Sequence, residues 1–373
     1  MFLGELKTPT LILERAKLDR NLARMRMQVT QLGARLRPHV KTSKSVDVVR
    51  RAVAPGEGGI TVSTLKEAEQ FFVAGYHDIL YAVGIAPNKL AHVAALRAQG
   101  CDLTIILDSV EAARAVADNS RVTGAAFSAL IEIDSDGHRA GVKPGDARLL
   151  EIGRTLGANL RGVMTHAGGS YDCKSVDEIR AMAERERAAV VRCAEALRDA
   201  ELPCAVVSVG SSPTATYAES FAGVTEVRAG VYMFFDLFMA GLSVCAVDDI
   251  ALSVLTSVIG HQPEKGWIIT DAGWMALSRD RGTAAQKIDQ GYGLVCDAQG
   301  RLIDGLTVSG ANQEHGIISA RDGGAVDSAR YPLGTLLRIL PNHACATAAQ
   351  HEGYQVVNEA LQVEARWPRF SGW

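Results

Sequence analysis

The 373-residue sequence has no excess of one charge and no long uninterrupted apolar run. Its formal net charge is −3 at pH 7, and no segment concentrates basic residues, which argues against nucleic acid or an anionic membrane as a partner. No segment reaches the roughly 18 apolar residues of a membrane-spanning helix, and the first residues carry charges where a signal peptide needs an apolar core. We therefore expect a cytoplasmic protein with no nucleic-acid and no membrane partner.

Paired cysteines are also missing. The seven cysteines are an odd number, and no two of them form a C-x-x-C motif. Scattered, unpaired cysteines indicate reduced thiols in a cytosol rather than a disulfide framework. Aromatic residues make up only 6% of the chain, but 47% hydrophobic and 22% charged residues are ordinary for a globular protein of enzyme size.

What the first two-thirds of the chain does have is a regular alternation of two patterns. Short apolar runs alternate with amphipathic helical stretches such as "TLKEAEQFFVAG" and "SVEAARAVADNS". Near-continuously apolar strands joined by helices are typical of a parallel sheet, so the pattern predicts an α/β fold. Eight strands in about 220 residues favour a (β/α)8 TIM-type barrel, with an open doubly wound sheet as the alternative. The eight predicted strands are Leu36–Lys41, Gly59–Ser63, Asp78–Val83, Leu103–Leu107, Phe127–Ile133, Leu160–His166, Cys204–Val209 and Glu226–Val231.

The character of the sequence changes near residue 248. Short alternating runs such as "GWIITDAG", "YGLVCD" and "LIDGLTVSG" are separated there by turn residues, which predicts a mostly-β second domain. The opening "TPTLILE" is also strand-like and precedes the first helix. We predict that residues 12–247 form the barrel and that residues 248–373, with residues 1–11, form the β domain.

Chemically unusual residues fall at the ends of the predicted strands. Lys41 closes the first strand, Arg139 follows the fifth, and His166 closes the sixth. In a barrel of this type the C-terminal strand ends form the catalytic face. Each residue alone has a structural explanation: a snorkelling lysine, a paired arginine, a satisfied histidine. Their shared position at one rim favours a functional site.

The segment after the seventh strand, "VGSSPTATY", has the pattern of a phosphate-binding loop. Gly210 allows a tight turn, Ser211 or Ser212 can cap the next helix, and Pro213 suits its first position. Free N–H groups at such a helix start attract phosphate, although an ordinary capped helix has the same pattern. Gly230, after the eighth strand, would let backbone amides approach the same anion.

A phosphate loop and a lysine around one barrel mouth suggest a tethered phosphorylated cofactor. Pyridoxal 5′-phosphate requires a desolvated lysine amine, and Lys41 at the end of a buried strand fits that requirement. Arg139 could then donate to the cofactor's phenolate oxygen, and His166 could pack against its ring. His39, two residues earlier on the same strand face, is expected to support the lysine, and Lys44 is the weaker lysine candidate.

The second domain contains the segment "LPNHACAT". His343 and Cys345 are two positions apart, so on a strand both side chains would point to the same face. Imidazole and thiolate are good ligands for zinc or a similar divalent ion. Since a closed structural site has four protein ligands, we expect an open site completed by water and substrate.

With these residues assembled, the chain resembles the fold-type III pyridoxal phosphate enzymes of the D-serine dehydratase and D-threonine aldolase family. The resemblance runs nearly end to end. It is most specific in "RLRPHVKTSK" together with the late His-x-Cys pair, and less so in "EIDSDGHRAGV", "THAGGSY", "VSVGSSPTA" and "TEVRAGVYMFFDL". It implies an alanine racemase-like barrel, and alanine racemases themselves lack the R-P-H-x-K-T form around the lysine.

The resemblance also implies the site. Lys41 is the implied Schiff-base lysine and Arg139 the phenolate contact, while His343 and Cys345 are the implied ligands of a divalent zinc, magnesium or manganese ion. The implied catalytic residues are Lys41, Tyr171 and His166. The remaining cofactor-binding residues are those of the "GSSPT" and "AGVY" blocks: Gly210, Ser211, Ser212, Thr214, Gly230, Val231 and Tyr232.

His-x-Cys at the metal favours a dehydratase, because aldolases of the family tend to have His-x-Asp. We therefore expect a D-3-hydroxy amino acid as substrate, first of all D-threo-3-hydroxyaspartate, with D-serine as a further substrate and oxaloacetate and ammonia as products. An aldolase that releases glycine, with Tyr171 or His166 as its base, is the first alternative. A non-catalytic cofactor carrier is the second. Arg279 and Arg281 are candidates for binding the β-carboxylate, and the resemblance implies a homodimer.

Overall fold

The structure, a computed structural model, describes residues 2–373 and separates into two compact units. The parallel unit comprises Ala23–Gly230 with Ser371–Trp373, and the antiparallel unit comprises the chain up to Leu22 with Val231–Phe370. The strands are β1 Thr10–Glu14, β2 Arg35–Leu36, β3 Ile60–Val62, β4 Asp78–Gly84, β5 Asp102–Leu107, β6 Ser128–Ile133, β7 Leu160–Thr165, β8 Val206–Val209, β9 Glu226–Val227, β10 Leu252–Gln262, β11 Trp267–Thr270, β12 Gly293–Asp297, β13 Leu302–Ala311, β14 Gly316–Ala320, β15 Leu336–Pro341, β16 Gly353–Val357 and β17 Val363–Pro368. The α-helices are α1 Arg15–Gln31, α2 Val46–Ala52, α3 Leu65–Val73, α4 Leu90–Ala98, α5 Val110–Thr123, α6 Arg148–Leu156, α7 Val176–Asp199, α8 Ser212–Tyr217, α9 Leu237–Gly241, α10 Trp274–Leu277 and α11 Ala344–Ala348.

The parallel unit contains an eight-stranded parallel sheet in the order β2-β9-β8-β7-β6-β5-β4-β3. Its two edge strands meet, because the Thr61 N–H donates to the Pro38 carbonyl at 2.9 Å and His39 forms a parallel bridge with Thr61. The sheet therefore curls back on itself. The predicted (β/α)8 barrel type is confirmed, and the open doubly wound sheet is excluded.

Side chains from neighbouring strands fill the parallel unit. Leu80, Ile106, Leu130 and Met164 come from β4, β5, β6 and β7, and each is 1% exposed. Burying each such side chain stabilises the fold by about 1.5–3 kcal/mol. This packing explains why the strands appear in the sequence as continuous apolar runs.

The first and last barrel strands are shorter than predicted. β2 ends at Leu36 and β9 at Val227, although backbone hydrogen bonds continue from His39 N–H to the Ala229 carbonyl. The prediction that Lys41 closes a strand is therefore wrong. After His39 the chain turns into the short 3-10 helix Val40–Thr42, and Lys41 lies within it.

Helix α7 is the longest helix. Ser175 caps it by accepting the Glu178 N–H at 3.2 Å, and Asp177 and Glu178 favour its first turn by their negative charge. Its buried face is mostly apolar but includes one carboxylate, Glu186, which is 2% exposed.

The antiparallel unit contains a nine-stranded sheet in the order β11-β14-β13-β12-β15-β10-β1-β16-β17. Because β11 also pairs with β10, the six strands from β10 to β15 close into an antiparallel barrel. β1 pairs with β10 in antiparallel fashion and with β16 in parallel fashion. The predicted mostly-β second domain is confirmed. Within residues 2–373 no helix combines the length and apolar character needed to cross a membrane.

Candidate active site

Lys41 is exposed at the C-terminal end of the parallel barrel. It lies in the 3-10 helix Val40–Thr42, between two buried residues. The expectation of a desolvated lysine is therefore wrong for this structure: Val40 and Thr42 are buried and anchor the turn, while Lys41 is exposed to solvent near His39 and His166. An exposed amine held on an anchored backbone is accessible to a ligand.

His166 follows β7 and lies near Lys41. Its Nδ1 is 2.9 Å from the carbonyl oxygen of Gly210, which makes Nδ1 the protonated nitrogen of a neutral ring. Burial, followed by the positive charges of Lys41, Arg228 and Arg139, lowers the pKa of His166 to about 3. At neutral pH the ring is uncharged and only weakly basic.

Arg139 and Tyr171 complete the set of predicted side chains near His166. Arg139 is exposed and pairs with the buried carboxylate of Glu132 at 3.4 Å. The Tyr171 ring lies 6.1 Å from the His166 ring, between centroids, at a tilt of 46°. The structure thus brings Lys41, Arg139, His166 and Tyr171 to one end of the barrel.

The loop after β8 has the predicted helix cap, but its polar groups form hydrogen bonds with other residues of the protein. Ser211 caps α8 by accepting the Thr214 N–H at 3.2 Å, and its hydroxyl lies 2.8 Å from that of Ser170. The Gly210 N–H and the Thr214 hydroxyl both donate to Glu186. For Gly210 and Thr214 the structure thus shows a supporting contact, whereas the sequence predicted a direct one with phosphate.

Two glycines of the site are needed for close backbone approach. Gly210 has a φ of +131°, and a Cβ there would lie 2.8 Å from the backbone nitrogen and oxygen of Arg228. A Cβ on Gly230 would lie 2.9 Å from the His39 carbonyl oxygen and 3.2 Å from Thr42 Oγ1. The segment that follows β9 therefore packs directly against the segment that carries Lys41.

Sequence reasoning missed Arg228 and gave His39 only a supporting role. Arg228 is buried and donates to the Ser208 hydroxyl at 2.8 Å and to the Thr165 carbonyl. Burial, followed by the charges of Lys41 and Arg228, lowers the pKa of His39 well below its ordinary value. Within the described residues the buried Nδ1 of His39 has no hydrogen-bond partner. In the sequence, the opposite charges of Glu226 and Arg228, two positions apart in "TEVRAGVY", were the only sign that Arg228 has a role.

These residues fit pyridoxal phosphate. The cations Lys41, Arg139 and Arg228 surround a neutral histidine, which suits an anionic ligand. Lys41 is exposed, and the unpartnered Nδ1 of His39 lies in the same neighbourhood.

The predicted metal pair lies in the antiparallel unit, on a helix start rather than a strand. β15 ends at Pro341, His343 is the N-cap of α11, and Cys345 lies in its first turn. The prediction that both side chains share a strand face is therefore wrong. The two side chains nevertheless interact with each other, because the Cys345 thiol is within hydrogen-bonding reach of the imidazole.

Asp280 and Asp236 support this pair. The Nδ1 of His343 is 2.6 Å from an Asp280 carboxylate oxygen, and buried Asp236 accepts the Ala344 N–H at 2.9 Å. Burial opposes the imidazolium, but the hydrogen bonds with Asp280 and Cys345 raise the pKa of His343 to about 11. A carboxylate bonded to one imidazole nitrogen is the usual support of a metal-ligating histidine, and sequence reasoning did not identify either aspartate.

Imidazole and thiol in contact, with a carboxylate behind the imidazole, fit a divalent metal of the zinc type. Across residues 2–373, no three His, Cys, Asp or Glu side chains are arranged to hold a metal ion together. An ion held by His343 and Cys345 would therefore need water or substrate as further ligands.

The two candidate arginines differ in their partners. Arg281 pairs with Asp289 at 2.6 Å and lies over the Tyr292 ring. Arg279 lies over the Trp274 ring at 5.2 Å and is exposed, and no ion pair to it occurs in the described part of the chain. Arg279 is thus the arginine available to an anionic ligand.

Two family models match the chain. The model "Alanine racemase, N-terminal domain" matches residues 13–237, and "Putative serine dehydratase domain" matches residues 251–357. Among curated proteins, the chain is 59% identical to D-threo-3-hydroxyaspartate dehydratase of Delftia sp. (strain HT23), over 99% of this chain and 98% of that protein. It is 28% identical to 3-hydroxy-D-aspartate aldolase of Paracoccus denitrificans (strain Pd 1222), over 98% and 92% of the two chains.

Solved structures give the same result. The structure of D-threo-3-hydroxyaspartate dehydratase from Delftia sp. HT23 matches with a TM-score of 0.98 and 58% identity, covering all of both chains. A variant of D-threo-3-hydroxyaspartate dehydratase, in its metal-free form, matches with a TM-score of 0.98 and 57% identity, also over the full length of both chains.

Proposed function

Because the chain belongs to the fold-type III pyridoxal phosphate enzymes that join an alanine racemase N-terminal domain to a serine dehydratase domain, we propose that it dehydrates D-threo-3-hydroxyaspartate. The products are oxaloacetate and ammonia. The observation that carries the proposal is the end-to-end 59% identity to a dehydratase of this substrate, on a chain that has the lysine and the His-x-Cys pair in place.

The cofactor site is assigned to residues of the parallel unit and to Val231 and Tyr232, which directly follow it in the chain. Lys41 would carry pyridoxal phosphate on its amine, Arg139 would donate to the phenolate oxygen, and His166 with Tyr171 would flank the ring. The phosphate would be bound by residues of the two loops that follow β8 and β9, namely Ser211, Ser212, Gly230, Val231 and Tyr232. Gly210 and Thr214, whose donors bind Glu186, would support the first of these loops. The bound cofactor supplies an electron sink for the electron pair left at the substrate Cα.

The metal site is assigned to His343 and Cys345, with Asp280 orienting the imidazole. The divalent ion supplies a Lewis acid, which makes the β-hydroxyl a better leaving group. This division follows the proposed domains, with the cofactor bound by residues 12–247 and the metal by residues 248–373 together with residues 1–11.

Proton transfer is assigned to Lys41. Its amine, when not attached to the cofactor, would remove the Cα proton. The hydroxyl would leave from Cβ as hydroxide and become water by taking the proton that the lysine gained. His166 is neutral and weakly basic, so it would flank the cofactor ring and would not donate a proton. Hydrolysis of the resulting imino acid gives the keto acid and ammonia.

Arg279 is proposed to bind the β-carboxylate of the substrate. This carboxylate is attached to the same carbon as the hydroxyl, so its partner must lie close to the metal ligands. Arg279 precedes Asp280, which contacts His343 at 2.6 Å, and it is free of the pairing that holds Arg281.

The test is a product assay with purified protein and added pyridoxal phosphate. D-threo-3-hydroxyaspartate, D-serine and D-threonine are supplied separately, and ammonia, keto acid and glycine are measured. We expect ammonia and oxaloacetate from the first substrate and slower ammonia release from D-serine. Glycine as the main product would instead establish the aldolase, and no turnover with a normal cofactor spectrum would favour the cofactor carrier.

The assembly and location are also proposals. The family resemblance leads us to propose a homodimer, which light scattering after size-exclusion chromatography would test. The odd number of scattered cysteines supports a cytoplasmic location.

A further inference from the structure

Glu186 is a buried carboxylate that connects three segments of the parallel unit. It lies inside α7, and one of its oxygens accepts both the Ala167 N–H and the Gly210 N–H at 3.0 Å. Its other oxygen accepts the Thr214 hydroxyl at 2.7 Å. One side chain thus satisfies donors from the loop after β7, the end of β8 and the first turn of α8.

Both backbone groups that donate to Glu186 belong to residues next to His166 in the chain or in contact with its ring. Ala167 follows His166 in the chain, and the carbonyl of Gly210 is the group that receives the His166 Nδ1–H at 2.9 Å. The same carboxylate oxygen therefore holds the residue that follows His166 and the residue whose carbonyl accepts the His166 Nδ1–H. Nδ1 carries the proton in this arrangement, and Nε2 is the nitrogen left available to a ligand.

We propose that Glu186 is a positioning residue that holds the His166 ring and its single tautomer through the backbone of Ala167 and Gly210. The dehydratase function enters only in placing His166 beside the cofactor. The contacts themselves belong to the chain and are independent of the reaction. The charged and titratable groups around the ring are the cations Lys41, Arg139 and Arg228, the neutral His39, and Tyr171, whose ring lies 6.1 Å away between centroids. The Ala167 and Gly210 N–H groups donate to Glu186 rather than to any of these.

The role depends on where the acceptor oxygen lies, which gives a graded set of variants. Glu186→Gln can keep an oxygen at the position that accepts both N–H groups, so it should behave like the wild type. Glu186→Asp is one methylene shorter and cannot reach both segments, and Glu186→Ala removes the acceptor. Glu184→Gln is the matched control, because Glu184 lies on the same helix and pairs at the surface with Arg187.

The measurement is nitrogen-15 NMR of histidine-labelled full-length protein at neutral pH, with and without pyridoxal phosphate. The His166 resonances among the nine histidines are assigned from the spectrum of His166→Asn. In the wild type, Glu186→Gln and Glu184→Gln we expect one protonated Nδ1 and one unprotonated Nε2. In Glu186→Ala and Glu186→Asp we expect the two nitrogens to move towards averaged tautomer shifts.

Unchanged His166 resonances in Glu186→Asp would overturn the proposal, even if Glu186→Ala failed to fold. A loss of the tautomer in Glu186→Gln equal to that in Glu186→Asp would also overturn it, because charge rather than acceptor position would then matter. A purely structural role predicts a lower melting temperature with the wild-type His166 spectrum. Failure of the wild type to bind pyridoxal phosphate would refute the proposed function, and the tautomer comparison would remain decisive for Glu186.

Discussion

Three cations gather around His166: Lys41 and Arg139 are exposed, and Arg228 is buried. Burial is the larger cause of the lowered pKa of His166, and the three cations add to it and leave the site with a positive field. An anionic cofactor would relieve this repulsion, so the same charges that lower the pKa of His166 would favour cofactor binding. At this scale the decisive group is the Lys41 amine, because it is the accessible nucleophile among them.

Lys41→Ala is expected to remove the visible absorption band of covalently bound cofactor. It should also lower ammonia release by at least about 10²- to 10⁴-fold, the contribution of a positioned general base alone. Absorbance spectroscopy and the ammonia assay check both effects. Lys44→Ala is the control and should keep the band, since Lys44 pairs with buried Glu67 at 3.3 Å. Covalent cofactor trapped by borohydride in Lys41→Ala would show that another lysine carries it.

Arg279→Gln is expected to change substrate preference rather than chemistry. Loss of one charge-assisted hydrogen bond, about 1.5–3 kcal/mol, should lower kcat/KM for D-threo-3-hydroxyaspartate by about 10- to 100-fold. D-Serine has no β-carboxylate, so its kcat/KM should change little. Steady-state kinetics on both substrates measures the ratio, and Arg281→Gln, whose guanidinium already pairs with Asp289, should preserve it. An equal loss on both substrates would remove Arg279 from the specificity argument.

At the scale of elements, the barrel contains two short neighbouring strands, β2 and β9, that are connected by an ion pair between buried side chains. Glu226 begins β9 and is 1% exposed, and it accepts from Arg37 at 2.8 Å and from the Ser208 hydroxyl at 2.9 Å. Burial opposes its ionisation, but the positive charge of Arg37 and these hydrogen bonds lower the pKa of Glu226 below its ordinary value. β2 and β9 pair over only two residues, so this carboxylate contributes much of their connection.

Glu226→Gln should therefore destabilise the protein in a pH-dependent way. Arg37 keeps Asp78 as a partner, so we expect a loss of about 1–3 kcal/mol in the free energy of unfolding at pH 7. A lowered pKa stabilises the fold above the unfolded-state pKa of about 4.3, and this contribution disappears as pH falls through the folded-state value. The difference between wild type and variant should accordingly shrink below about pH 4.3. Urea titrations across that range measure it.

The control for this titration is a surface pair. Glu151 contacts Arg114 at 3.5 Å with both side chains more than half exposed, so Glu151→Gln should cost at most about 1 kcal/mol. A Glu226→Gln variant as stable as this control at pH 7 would contradict the role of the buried carboxylate.

The elements also show what the sequence can predict. Barrel strands are buried on both faces, so they appear as continuous apolar runs, and all eight were predicted in order. Their ends were not, because the chain turns at Val40–Thr42 while backbone pairing still continues at His39. The spacing of His343 and Cys345 identified them as a pair. It did not predict that they lie at the start of α11, because that depends on β15 ending at Pro341.

Buried charge was the hardest feature to predict. The segment "AERERAA" of α7 offers Glu184 and Glu186 as equivalent residues in sequence, two positions apart on one helix. Only the packing of α7 against its neighbours buries Glu186 and leaves Glu184 in solvent. Arg228 was missed for the same reason: an arginine just after a strand is ordinarily exposed, and its partners Ser208 and Thr165 come from β8 and β7.

At the scale of the whole molecule, the two proposed ligands belong to different units. Lys41 and its neighbours lie in the parallel unit, whereas His343, Cys345 and their supporting aspartates lie in the antiparallel unit. His343 is held by Asp280 and Cys345, whereas His166 is held by the Gly210 carbonyl and the Ala167 N–H donates to Glu186. We therefore expect that one ligand can be removed without disturbing these contacts around the other.

Chelation should therefore separate the two functions. Removing the divalent ion with EDTA is expected to lower ammonia release from D-threo-3-hydroxyaspartate by at least about 100-fold, since a Lewis acid contributes several kcal/mol to departure of the hydroxyl. The visible cofactor band and the far-ultraviolet circular dichroism should remain. Added zinc, manganese or magnesium restores activity to the extent that each ion suits His343 and Cys345, and Cys345→Ala should respond weakly to all three. Full ammonia release from protein shown by elemental analysis to contain no divalent metal would refute the metal-assisted elimination while leaving the assignment of Lys41 intact.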